Sequence, residues 1–131
     1  MKKIETTLVL IATRSGSLQD SLVALMTTIN IVNAVLVAED AVSTLRLAEQ
    51  HCPTLVILEM DLSGRETYAL LDQIKNKCSL TRLIALVSDV QQLQKTEIAG
   101  ADTILLKGFS AASLIATVEE LLGEKNLFDH C

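Results

Sequence analysis

Aromatic residues are nearly missing from this chain: Tyr68, Phe109 and Phe128 are the only three in 131, and there is no tryptophan. Single-strand nucleic-acid binders stack bases on such rings, so that platform is excluded. Positive charge is also scarce. Eleven Lys and Arg stand against sixteen Asp and Glu, a net charge of −5, and the basic residues form no cluster, which argues against direct nucleic-acid binding. Long apolar runs are lacking too. Met1-Lys2-Lys3 could open a signal peptide, but Glu5 interrupts it, and Leu8 to Ala12 is too short for a signal core or a membrane span. Cysteine is limited to Cys52, Cys78 and Cys131, an odd number without metal-ligand spacing. The expectation is therefore buried or incidental thiols in a reducing, cytoplasmic compartment rather than a disulfide framework or a zinc site. His51 and His130 have no carboxylate or cysteine partner at ligand spacing and are expected at the surface.

Half of the chain is apolar, enough for one compact domain with a full core and too little for two. Pro53 to Gly64 organises the rest. Leu55, Val56, Ile57 and Leu58 do not alternate with polar residues, which predicts a strand covered on both faces in the middle of a parallel sheet. Glu59 ends that strand. In open parallel sheets, ligands and chemistry collect outside the carboxyl ends of the strands, so an acid there carries more information than one elsewhere.

The remaining segments repeat this grammar. Leu8 to Ile11 predicts a first buried strand, left through Arg14-Ser15-Gly16-Ser17, with Ser17 as N-cap of a helix whose inward face is Leu18, Leu22, Leu25, Met26 and Ile29. Val35 to Ala38 predicts a second strand. Asp40 then caps a helix with Val42, Leu45, Leu47 and Ala48 inward, which ends at His51-Cys52-Pro53 because the residue before proline disfavours helix. Glu66 to Asn76 predicts a third helix with Ala69, Leu70 and Ile74 inward, and Leu83 to Val87 a fourth strand. Ser88 and Asp89 lead into Gln91 to Ala99, the weakest amphipath, in which only Leu93 and Ile98 are large and apolar. Gly100 closes that helix, Thr103 to Leu106 predicts a fifth strand ending in Lys107, and Ser110 caps a last helix that Gly123 ends. Five strand-helix units specify an α/β three-layer sandwich with a doubly wound sheet and right-handed crossovers. The core spans about Thr7 to Leu122, and Gly123 to Cys131 is a short tail of the same domain.

With polar residues after strands one, three, four and five, the chain resembles the receiver domain of two-component response regulators over about Thr7 to Leu122. Pro53-Thr54-Leu55-Val56-Ile57-Leu58-Glu59 looks like the phosphoacceptor strand, and Ala99 to Phe109 looks like the last strand with its lysine, Lys107. Ala38-Glu39-Asp40 is similar to the end of the second strand. The resemblance implies a flavodoxin-like (βα)5 fold with strand order 2-1-3-4-5. It also implies an aspartate phosphorylated by a histidine kinase, an acidic pair that helps hold Mg²⁺, and a Ser/Thr and a Lys that contact the phosphate.

Carried over residue by residue, that machinery is only partly present. The acidic pair falls on Ala12 and Thr13, which supply no carboxylate to a hard divalent ion, so Mg²⁺ binding is expected to be lost and no other cofactor is implied. The acceptor falls on Glu59, one methylene longer. Its carboxylate would sit about 1.5 Å beyond the position an in-line attack needs, a misplacement that can cost about a hundredfold. The proline usual four positions after the acceptor is Ser63, the glycine usual four positions further on is Thr67, the switch aromatic is Ile104, and the proline after the lysine is Gly108. Ser88 and Lys107 are retained.

The expectation that follows is a fixed Glu59–Lys107 ion pair, with Arg14, Asp61 and Ser88 around it; Arg14 is expected as a solvent-facing loop arginine, the alternative being a guanidinium that stands where the metal would be. The function expected is a phosphorylation-independent, cytoplasmic receiver-like module, not an enzyme. It would bind a sensor kinase, an output domain, another regulator or a second copy of itself, through a face that includes Leu93, Glu97 and Ile104. Two alternatives stay open: a receiver phosphorylated on Glu59 or Asp61, and a flavin- or anion-binding carrier that uses Thr13 to Ser17 as a phosphate loop.

Overall fold

The computed structural model describes residues 7–129, the side chains of 124–129 excepted. The termini with Met1 to Lys3, His130 and Cys131, and the side chain of Phe128, lie outside what is described. Five strands, β1 (Leu8–Ala12), β2 (Ala34–Ala38), β3 (Leu55–Glu59), β4 (Arg82–Val87) and β5 (Thr103–Leu106), alternate with helices α1 (Ser17–Thr27), α2 (Ala41–His51), α3 (Glu66–Lys77), α4 (Val90–Ala99) and α5 (Ala111–Asp129). The strands are parallel in the order β2-β1-β3-β4-β5, the expected doubly wound arrangement.

The apolar runs are continuous because the sheet packs on both faces. Leu10, Val56, Leu58, Leu83 and Ala85 point to a core shared with Ala48 of α2 and Leu70, Leu71 and Ile74 of α3. Their neighbours Val9, Ile11, Leu55, Ile57, Ile84 and Leu86 point to the other core, with Leu22 and Met26 of α1 and Leu114 and Val118 of α5. β3 is buried at all five positions, Glu59 included. Its register sets Ala12 against Leu58 and Glu59 against Leu86, so the ends of β1, β3 and β4 lie side by side.

Several local expectations need correction. Ser17 is the first residue of α1 rather than its cap, because Gly16, at φ 143°, turns the chain one residue earlier. Asp40 does cap α2, accepting the Ser43 N–H at 2.8 Å. The face α2 buries is Thr44 and Ala48, with Leu45 and Leu47 at its sides, and Val42 is exposed. In α3 the inward residues are Thr67, Leu70, Leu71 and Ile74, and Ala69 faces out. α4 buries only Thr96, and its Ile98 is among the most exposed apolar residues. Gly123 does not end α5, which continues to Asp129.

Threonine explains three of these misreadings. The hydroxyls of Thr44 and Thr96 donate to Asp40 O and Gln92 O, one turn back, and that of Thr67 accepts the Ser63 N–H. With the oxygen satisfied locally, the methyl packs as an apolar group. The cysteines are also corrected: Cys52 and Cys78 are joined in a disulfide, because the ends of α2 and α3 bring their Cα atoms to 5.5 Å.

Leu71→Ala should lower the unfolding free energy by about 3 kcal/mol, since the side chain is fully buried between sheet and helices. Ala69→Gln should change it by no more than about 0.5 kcal/mol. Urea unfolding followed by circular dichroism compares the two, and equal losses would contradict this facing of α3.

Candidate functional site

Glu59 is the charged side chain that the described structure buries most deeply, with 8% of its surface exposed. A carboxylate withdrawn from water needs partners, and two arrive from neighbouring strand ends. Lys107, just past β5, places Nζ 2.5 Å from Glu59 Oε2. Its position follows from the sheet ladder, since the Lys107 N–H donates to Val87 O at 2.8 Å. Arg14, two residues past β1, donates its backbone N–H to Glu59 Oε1 at 3.2 Å.

Asp61, two residues beyond β3, is the second focus. Its Oδ2 accepts from Lys107 Nζ at 3.3 Å and from the Ser88 hydroxyl in a very short hydrogen bond, while Oδ1 accepts from Gln92 Nε2 at 2.7 Å. The exposed Arg14 side chain donates to the Asp61 carbonyl oxygen at 2.6 Å. Gln92 is bifunctional: its Oε1 also accepts the Ser88 N–H at 2.7 Å. It thereby ties the β4–α4 connection to the loop after β3. The Ser88 hydrogen bond, then that of Gln92, holds the Asp61 carboxyl below its ordinary range, with Lys107 adding to them against partial burial.

The expected residues therefore meet, with two differences. Ser88 bonds the Asp61 carboxylate rather than facing Glu59. Gln92 was not anticipated; the available signal was its position in the first turn behind the Asp89 cap, which accepts the Gln92 N–H at 3.0 Å. Ala12, the last residue of β1, and Thr13 after it lie beside this cluster, fully buried, and Thr13 Oγ1 has no hydrogen-bond partner. Beside Glu59 and Lys107 lies a cleft of about 500 Å³ walled by Leu18, Leu25, Phe109 and Ala111. Ile104, on β5 opposite Ala85, is half-buried and packs against the α2–α3 core. Leu93 is half-buried and Glu97 exposed.

The model of the response regulator receiver domain matches residues 9–119, which span every element described above from β1 into α5. The chain belongs to this family. Solved structures similar to this receiver include a CheY-like response regulator receiver domain protein from Methanospirillum hungatei JF-1, with a TM-score of 0.82 and 19% identity over 93% of this chain and 98% of that one. A two-component response regulator from Clostridium difficile gives 0.81 and 20%, over 92% and 99% of the two chains. NtrX from Brucella abortus, in complex with ADP, gives 0.80 and 22%, with 96% of the receiver matching 28% of that longer chain. At these identities the likeness is one of fold. No curated protein sequence matches the receiver. Among its described residues no group of three or more His, Cys, Asp or Glu is placed to hold a metal ion, and no helix is long and apolar enough to cross a membrane.

Because the folded Asp61 pKa lies below the unfolded value, its contribution is present above the unfolded pKa near 4 and is lost as pH falls through the folded value. Urea midpoints at pH 7 and pH 3 should therefore differ less in Asp61→Asn than in the parent. An equal drop in both would show that Asp61 does not contribute to acid sensitivity.

Proposed function

We propose that this receiver works without phosphorylation, as a protein-interaction module of a two-component pathway held in a single state. The observation that carries the reading is the placement of Lys107 Nζ between two carboxylates, 2.5 Å from Glu59 and 3.3 Å from Asp61. Each carboxylate oxygen of the pair already accepts from an N–H or O–H donor. The residues present do not fit Mg²⁺, which wants near-octahedral oxygen ligands: Ala12 has none to give, and the spare Thr13 Oγ1 is one neutral atom. Phosphorylation at Glu59 would have to break the Lys107 contact, and at Asp61 the contacts to Ser88 and Gln92 as well. The carrier reading of Thr13 to Ser17 lacks support, since the Arg14 guanidinium is engaged by Asp61.

In this proposal the module is a cytoplasmic single domain with partners of the two-component type: a sensor kinase, an output domain, another regulator or a second copy. The face offered to them is α4, β5 and α5. On α4, Val90, Gln94, Glu97 and Ile98 recur at helical spacing, and Val90 (72%) and Ile98 (80%) are largely exposed, as is part of Leu106 on β5. An apolar anchor in a polar rim is the usual composition of such a contact. Glu97 remains in this face, whereas Leu93 and Ile104 serve as its half-buried support. With Gln92 tying the base of α4 to Asp61, the face has one conformation to offer and binds constitutively.

Two experiments test this. Incubation with a small-molecule phosphodonor and Mg²⁺ should leave the intact mass unchanged, while the triple variant Ala12→Asp, Thr13→Asp, Glu59→Asp should gain part of one phosphoryl group. A stoichiometric gain on the parent would end the proposal. For the face, sedimentation should show self-association weakened at least about tenfold by Ile98→Glu and by Glu97→Lys in folded protein. If both variants associate like the parent, the contact lies elsewhere.

A further inference from the structure

The proposed function uses none of the cysteines, yet the fold builds a site around two of them. We propose that Cys52 and Cys78 form a reversible thiol–disulfide pair, a redox-sensitive modification site at the end of the sheet opposite Glu59. Cys52 caps α2 and leads through Pro53 and Thr54 into β3; Cys78 caps α3 and leads through Ser79 to Thr81 into β4. The bond therefore ties together the entries of the two strands whose far ends carry Glu59 and Ser88.

Three observations favour a pair that exists in both states. First, the approach of the two segments does not depend on the bond. Thr81 Oγ1 donates to Pro53 O at 2.6 Å, the Arg82 N–H donates to Thr54 O at 3.0 Å, and Lys77 pairs with Glu49 at 3.2 Å. Second, the buried partner has somewhere to put a thiol proton. Cys78 Sγ stands 3.4 Å from Ala48 O, which accepts the S–H when the pair is reduced, so reduction leaves no orphaned group. Third, the pair is reachable. Cys78 is buried but Cys52 is exposed, beside a cleft of about 410 Å³ between Pro53-Thr54 and Ser79-Leu80 that admits a small thiol or disulfide. Cys52 is also the non-glycine residue found at positive φ (39°), a helix-ending position normally taken by glycine.

The exchange balances with a small disulfide such as oxidised glutathione. The Cys52 thiolate attacks one sulfur of that disulfide, whose S–S bond breaks, and one glutathione thiolate leaves. The Cys78 thiolate then attacks the Cys52 sulfur and expels the second. One protein dithiol and one small disulfide become one protein disulfide and two small thiols, with the two protein protons taken up by the leaving thiolates. The reverse sequence reduces the pair. In a reducing cytoplasm the pair rests as thiols, and it closes when the glutathione pool turns oxidising.

The test uses the full chain with Cys131→Ser, so that two thiols remain. Folded protein is equilibrated over a series of reduced-to-oxidised glutathione ratios, quenched with an alkylating reagent and weighed intact. The expected result is two alkyl groups at the reducing end, none at the oxidising end, one midpoint reached from both directions, and an unchanged far-ultraviolet spectrum. The oxidised form should melt about 10 °C higher than the reduced form, from the closure of a loop whose ends are separated by 26 in sequence. Cys52→Ser and Cys78→Ser should each remove that difference. A bond reduced only after denaturant is added would make it a permanent staple and overturn the proposal. So would two alkyl groups at every ratio.

Discussion

A carboxylate at the end of a central, fully covered strand has little water to solvate it, and the rest of the site can be understood as the answer to that constraint. Lys107 is the main response. It arrives on the last strand, held by the ladder bond to Val87 O, and its ammonium sits against Glu59 at 2.5 Å. Two opposite charges at about 4 Å attract by about 4 kcal/mol at an effective dielectric of 20, before desolvation takes back a large part. The pair therefore contributes less to stability than to geometry. It holds the ends of β3 and β5 together, and it draws in Asp61, whose Oδ2 also accepts from Ser88 and whose Oδ1 accepts from Gln92.

The same chain of contacts connects an internal ion pair to an outer face. Gln92 belongs to the first turn of α4, and its carboxamide holds both the Ser88 amide and the Asp61 carboxylate. Movement of the β4–α4 connection would break both bonds together. A ligand that favours another position of α4 would need differential affinity large enough to offset that loss.

Most of the fold was legible because buried strands leave an unambiguous trace. Leu8 to Ile11, Leu55 to Leu58 and Leu83 to Val87 cannot be half-exposed strands, and the turns between them leave only helices as connectors. Helix faces were less legible. Periodicity counted Thr44, Thr67 and Thr96 as polar, and so assigned Val42 and Ala69 inward and made α4 appear almost without a core side. The Glu59–Lys107 pair was legible since each residue ends a strand in one sheet. Gln92 was not, because a glutamine in a helix carries no signal until the loop opposite is known. The disulfide was missed for the same reason: Cys52 and Cys78 become neighbours only once α2 and α3 are packed side by side.

The four charged residues linked at the ends of β1, β3 and β5, Glu59 and Asp61 with Arg14 and Lys107, sum to zero, the Arg14 guanidinium meeting the Asp61 carbonyl oxygen rather than a carboxylate. A site so balanced projects little field into the surrounding solution. The four themselves neither gather nor turn away ions, whereas Glu39, Asp40 and Asp89, exposed after β2 and β4, add negative charge around them. The long-range pull or push felt by an approaching protein is then left to the rest of the acidic surface, where sixteen Asp and Glu outnumber eleven Lys and Arg. For this chain, the rate at which another molecule first arrives and the chemistry at the strand ends are governed by different parts of the molecule.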